Sequence, residues 1–272
     1  MSNPVGQRPG LWVPTVTEEF TGPMTAVDAV EGIYTFSPGG PRWRVWYEGG
    51  FHSNNTGRGD VWYDATGVSV VGGKLQLTAR PVSTGAGLRF TSGMIQSAPG
   101  YTPTYGYAEA RMKLPATYGS WPAFWLYSAK SGNSCEFDIM ENYGTADQYT
   151  IATWQNNTGG TPGGVWNFPV KVATTDWHTY AASWTPEALT FYVDGAPVVR
   201  NTNLTDIPAE PMAMILNLQV ENFANLADYP ATVEVDWVRF YKQAPKPAGY
   251  LNGKVVDHMY LGDVEVTPVM VP

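Results

Sequence analysis

The chain has 272 residues, 43% of them hydrophobic, and its 24 acidic against 16 basic side chains give a formal charge of −8. That length admits one large all-β domain or two ordinary ones with a packed core. The acidic balance disfavours nucleic acid and other polyanions through long-range repulsion, while a neutral polymer remains an acceptable partner. Residues 1–10 lack the apolar core of a secretory leader, so no signal peptide is expected. Uncharged apolar runs such as residues 212–218 are far below the roughly 18 residues of a membrane span, so no membrane partner is expected. Residues 1–17 read as an arm. Gly72-Gly73 introduces an alternating run, Lys74-Leu75-Gln76-Leu77-Thr78-Ala79. Residues 107–114 alternate as well, predicting Tyr107, Glu109, Arg111 and Lys113 on one face and Ala108, Ala110, Met112 and Leu114 on the other. Asp194-Gly195 between residues 190–193 and 196–199 reads as a hairpin with a tight primed turn. Residues 212–220 suit a strand buried on both sides, and residues 233–241 a further strand rich in Val and aromatics. No window sustains a helical period, and short strands punctuated by turn residues predict a β-sandwich. After Tyr241 the run Gln243-Ala244-Pro245-Lys246-Pro247-Ala248-Gly249 reads as a linker. Two short β-like pieces around Gly253 and Gly262-Asp263 follow, too small to fold alone.

Cys135 is the only cysteine, which excludes an intramolecular disulfide and a cysteine-based metal site, and three histidines are too scattered for a zinc centre. Against this sparse background, Glu136-Phe137-Asp138-Ile139-Met140-Glu141 places three carboxylates in six residues. In a plain strand Glu136 and Asp138 share a face and Glu141 points away. One extra residue at Ile139-Met140, a β-bulge, returns Glu141 to their side. Bulge, curvature and long side chains are then needed to bring the glutamates within the about 5–5.5 Å used by retaining glycosidases. Like charges crowded there raise at least one pKa and keep an acid protonated near neutrality. The alternatives are a solvated strand face or a calcium loop, although Phe137, Ile139 and Met140 are ill suited to an exposed loop. The 11 Trp, 16 Tyr and 10 Phe residues exceed what a chain this size ordinarily carries. Besides core packing, flat aromatic surfaces suit the apolar faces of sugar rings.

The run Gly119-Ser120-Trp121-Pro122-Ala123-Phe124-Trp125-Leu126, followed by the acidic hexapeptide, resembles glycoside hydrolase family 16 in its bulged E-x-D-x-x-E form. Thr91-Ser92-Gly93-Met94-Ile95 and residues 105–115 are similar to the family's preceding strands. Trp177-His178-Thr179-Tyr180, Phe191-Tyr192-Val193-Asp194-Gly195 and residues 235–241 are similar to its later ones. The resemblance covers residues 18–242. It implies an all-β, concanavalin A-like jelly-roll sandwich of two curved antiparallel sheets, with a glycan cleft on the concave face. It also implies a retaining, endo-acting polysaccharide hydrolase of β-glucan or galactan type. Carried over by position, Glu136 is the nucleophile, Asp138 its assistant and Glu141 the acid/base. Trp121, Trp125, Arg89, Trp154 and Gln219 match or neighbour substrate-facing positions. For Arg89 the competing reading is a surface salt bridge, and for Trp154 a place in the core. The chain departs from the pattern after the acids, where Ile151-Ala152-Thr153-Trp154 contains no His. It departs again where Val220-Glu221-Asn222 replaces a Gly-Gly pair, and the register of Asn54 and Asn55 is ambiguous.

No cofactor is required by this chemistry. The resemblance admits a structural calcium at Asp236, against a local hydrogen bond for a strand-end aspartate. Two alternatives to the hydrolase stand at this point: a transglycosylase, and a non-catalytic glycan-binding jelly-roll module. The expected partner is a polysaccharide outside the cell. The segment Tyr260-Leu261-Gly262-Asp263-Val264-Glu265-Val266 resembles short pieces of tail-associated phage proteins, which implies virion association or self-assembly through residues 243–272.

Overall fold

The structure, a computed structural model, describes residues 3–7, 11–47, 58–82, 87–98, 100–130, 133–155, 167–244, 249–251, 254–256, 259–261 and 264–266. Among these, a 10-stranded and a 9-stranded sheet stack as a β-jelly-roll sandwich of antiparallel-rich sheets. The exception to antiparallel pairing is Val61–Tyr63 beside Phe90–Ser92. Alternation builds the layers, as in Lys74–Pro81, where Leu75 and Leu77 are fully buried and Lys74 and Gln76 half-buried. Phe137 meets Trp184 and Phe191 of the opposite sheet at ring distances of 5.5 and 6.4 Å. These edge-to-face aromatics fix how the two layers sit.

The predicted hairpin is present. Leu189–Val193 pairs with Ala196–Asn201, and Asp194 and Gly195 take φ of 49° and 79°, the left-handed pair a primed turn demands. Ala213–Val220 is buried along nearly its whole length, as expected of a central strand covered on both faces. Ala231–Gln243 runs the last predicted strand through the middle of the larger sheet. Beyond the linker, Gly249–Leu251 pairs with Lys254–Val256, and Met259–Leu261 with Val264–Val266.

One expectation needs correction: the arm read over residues 1–17 ends earlier, because Trp12–Glu18 adds to the larger sheet against Ala231–Gln243. On the polar face of Gly106–Lys113 exposure is uneven. Tyr107 and Glu109 are fully buried, because the Val5 amide donates to Glu109 Oε2 at 3.0 Å and the Tyr241 hydroxyl to Oε1 at 2.9 Å. Trp12 also covers Tyr107 at 5.4 Å. Arg111 and Lys113 stay half exposed and pair with Asp236 and Glu234.

Candidate active site

The strand Asn133–Glu141 lies between Ser120–Lys130 and Gln148–Gln155 in the smaller sheet. Against Ser120–Lys130, Glu136 faces Tyr127 and Asp138 faces Trp125, but Met140 faces Phe124 and Glu141 faces Ala123, so Ile139 is the extra residue. The other neighbour shows the same slip, Asp138 opposite Ala152 and Glu141 opposite Thr150. Phe137, Ile139 and Met140 are buried. Their burial holds the bulge, since a slip by one residue would expose the apolar set. The three carboxyls therefore share one face, as the sequence predicts.

Their charges meet. Burial, then the charge of Glu141, pushes Glu136 up to about 7. Asp138, 5% exposed, is raised well above the carboxylate range by burial, then by Glu136 and Glu141. Glu141 is also raised by burial, but less freely. The Trp121 indole donates to its Oε1 at 2.8 Å, the Tyr143 hydroxyl hydrogen-bonds it, and the Arg58 guanidinium lies near enough to favour its charged form. Asn142, fully buried, fixes the turn that carries Tyr143. It donates to the carbonyls of Thr145 and Gln148 at 2.8 and 2.7 Å and accepts from the Gly144 amide at 2.9 Å. Three carboxyls so buried and crowded carry fewer charges than groups near neutral pH, so the site can supply both a proton and an ionised nucleophile.

The remaining predicted residues divide. Trp121 is half-buried and touches Glu141 directly. Trp125 is locked by a relay: its Nε1 donates to Asn217 at 2.7 Å, Asn217 donates to the Tyr63 hydroxyl at 2.9 Å, and that hydroxyl donates to Gln219 at 2.6 Å. Gln219 thus serves to hold the platform, which leaves its amide oxygen engaged within the protein. Trp154 is in register with Glu136, and its side chain lies outside the described residues, as do Asn54 and Asn55. Arg89 makes the ion pair of its competing reading. Its guanidinium pairs with Asp60 and donates to the carbonyls of Asn222 and Ala224, the latter two at 2.7 and 3.2 Å. It clasps the loop that carries Asn222 and Ala224. Asp236 accepts from Arg111 at 2.6 Å, and among the described residues no cluster of three or more His, Cys, Asp or Glu could hold a metal. The Arg111 contact is the local hydrogen bond of the competing reading for Asp236.

Sequence reasoning did not single out Arg58, Tyr63, Tyr143 or Asn217. Asn217 had a signal, since it lies two residues before Gln219 and so on the same strand face. Arg58 had none, because its neighbours come from three distant segments.

The chain matches the model of glycosyl hydrolases family 16 over residues 56–239. It is 35% identical over 184 residues to endo-1,3-1,4-beta-glycanase ExsH of Rhizobium meliloti, covering 64% of this chain and 39% of that protein. To the beta-glucanase of Rhodothermus marinus it is 32% identical, covering 57% of this chain and 64% of that one. The chain thus spans less than two thirds of the length of these relatives. In fold, it is similar to the laminarinase catalytic domain from Thermotoga maritima, with a TM-score of 0.63 and 22% identity over 85% of this chain and 98% of that domain.

Proposed function

The chain belongs to glycosyl hydrolases family 16, and from this premise we propose that it is a retaining, endo-acting hydrolase of a neutral β-glucan. The observation that carries the reading is the extra residue at Ile139, which turns Glu136, Asp138 and Glu141 to one face. Glu136 attacks the anomeric carbon while Glu141 gives its proton to the departing oxygen. Glu141 then takes a proton from water, which attacks the same carbon and frees Glu136. Asp138, the most strongly buried acid of the three, keeps its proton and steadies the charge on Glu136. Trp121, half-buried, offers a flat face to the sugar. Two carboxyl groups suffice for this chemistry, and it needs no cofactor.

The relatives named above are an endo-1,3-1,4-beta-glycanase and a beta-glucanase, and the net charge of −8 suits an uncharged polymer better than a sulfated or uronic one. The chain acts on its polysaccharide outside the cell. The test is incubation of the purified chain and its Glu136→Gln variant with laminarin, mixed-linkage β-glucan and agarose, with products read by mass spectrometry. The wild type should release oligosaccharides from a β-glucan and the variant none. Cleavage of agarose alone overturns the substrate class. Binding by both proteins with cleavage by neither makes the chain a glycan-binding module.

A further inference from the structure

Arg58 lies just before the strand Val61–Tyr63 and is not among the groups the double displacement uses. Its guanidinium stands over the Trp121 ring at 4.8 Å and over Tyr143 at 5.8 Å. These are the two side chains that hydrogen-bond Glu141. Arg58 is held there from behind by an ion pair with Glu221. Glu221 is only 2% exposed, and its Oε2 has no hydrogen-bond partner among the described residues. A side chain so buried depends on the one partner it has among the described residues, the Arg58 guanidinium. Its backbone is also fixed: its amide donates to Gly119 at 2.8 Å, its carbonyl accepts from Ala224 at 3.0 Å, and it bridges to Gly59. Glu221 is therefore a rigid anchor. The Arg58 side chain, 57% exposed, is a long flexible group that would otherwise pay a large entropic cost to stay in one place.

We propose that Arg58 and Glu221 are positioning residues for Glu141: Glu221 pins a positive charge on the Trp121–Tyr143 pair, and that charge sets the upper pH limit of proton donation by Glu141. The inference rests on the hydrolase reading above. Among the described residues, the groups facing Glu141 are few enough to separate. Glu136 and Asp138 come from its own strand, Trp121 from Ser120–Lys130, Tyr143 from the following turn, and Arg58 with Glu221 from the wall. Gln148–Gln155 presents the neutral Thr150 opposite. Of these, the Arg58 side chain is the one positive charge. It opposes the burial that raises Glu141, so it shortens the pH range over which the acid keeps its proton. Glu221 does the reverse by neutralising Arg58 in part. The two members of one ion pair therefore act in opposite directions on the same proton, which a merely structural pair would not do.

The experiment is the pH profile of kcat/KM on a β-glucan, which reports the free enzyme's essential acid and base. Arg58→Met keeps the apolar cover on Trp121 and removes the charge. Its alkaline limb should move up by about 0.5–1 pH unit. Arg58→Lys should return the limb most of the way to the wild-type position. Glu221→Gln still accepts a hydrogen bond from Arg58 but leaves its charge unneutralised, and its limb should move down. Titration of the Glu141 carboxyl by carbon NMR in the same proteins reads the same shifts without turnover. An unmoved carboxyl resonance and limb in Arg58→Met overturn the inference, as does a downward move. A wild type that hydrolyses no glycan yet shows the NMR shifts overturns the hydrolase reading and leaves the electrostatic role standing.

Discussion

Replacing Glu136 by glutamine should strengthen the fold while removing its chemistry. The side chain is pushed from an ordinary 4.5 up to about 7 by burial and by Glu141. The sign follows from proton linkage. Below about pH 4.5 the carboxyl is neutral in both folded and unfolded chains and costs nothing. Between about 4.5 and 7 the unfolded chain ionises first, so stability falls, and above about 7 the loss is complete. A gap of about 2.5 pH units at 1.36 kcal/mol each makes that loss about 3 kcal/mol. Glutamine does not ionise and escapes it, less the cost of burying an amide that needs its own hydrogen bonds. A net gain of about 2 kcal/mol remains at pH 8. With an unfolding entropy near 2.1 cal/mol/K per residue over 272 residues, this raises Tm by roughly 3–4 °C. The assay is calorimetric unfolding of both proteins at pH 4.5, 6 and 8. The variant should be slightly less stable at the lowest pH, where only the cost of the amide remains, and its gain largest at the highest. Equal gains at pH 4.5 and 8, or a variant less stable at pH 8, would refute the claim that Glu136 is held against its charge.

Asp138→Ala should lower kcat by about 100-fold or more, and Asp138→Asn by less, because the amide can still donate to Glu136; steady-state kinetics on β-glucan separates the two. Arg89→Gln should cost about 1–3 kcal/mol in urea unfolding, since it leaves Asp60, 7% exposed, without its cation. KM should stay near the wild-type value, because the guanidinium is spent on protein groups. Gly93→Ala should destabilise by about 1–3 kcal/mol in the same assay, because its methyl group would lie 2.2 Å from the Gly67 carbonyl oxygen.

What was legible in the sequence was local. The bulge could be read because Phe137, Ile139 and Met140 demand burial while Glu136, Asp138 and Glu141 demand a common face, and one extra residue satisfies both. The Asp194-Gly195 turn was legible for the same reason: its residue types and the left-handed backbone agree. What was hidden depends on partners far along the chain. Arg89 reads as a sugar contact until Asp60 and the carbonyls of Asn222 and Ala224 are seen around it. Glu109 shares a strand face with Arg111 and Lys113, and only the structure shows Val5 and Tyr241 closing over it. Asp236 reads as a metal ligand until the neighbouring strand brings Arg111 alongside. Alternation assigns a residue to a face and is silent on what covers that face.

The double displacement turns on which carboxyl forms a bond to the sugar. A 2-deoxy-2-fluoro β-glucoside with a good leaving group, sized for the cleft, should trap the glycosyl-enzyme, and peptide mass spectrometry should place the label on Glu136. Label on Glu141, or release of product with inverted anomeric configuration and no trapped adduct, would contradict it.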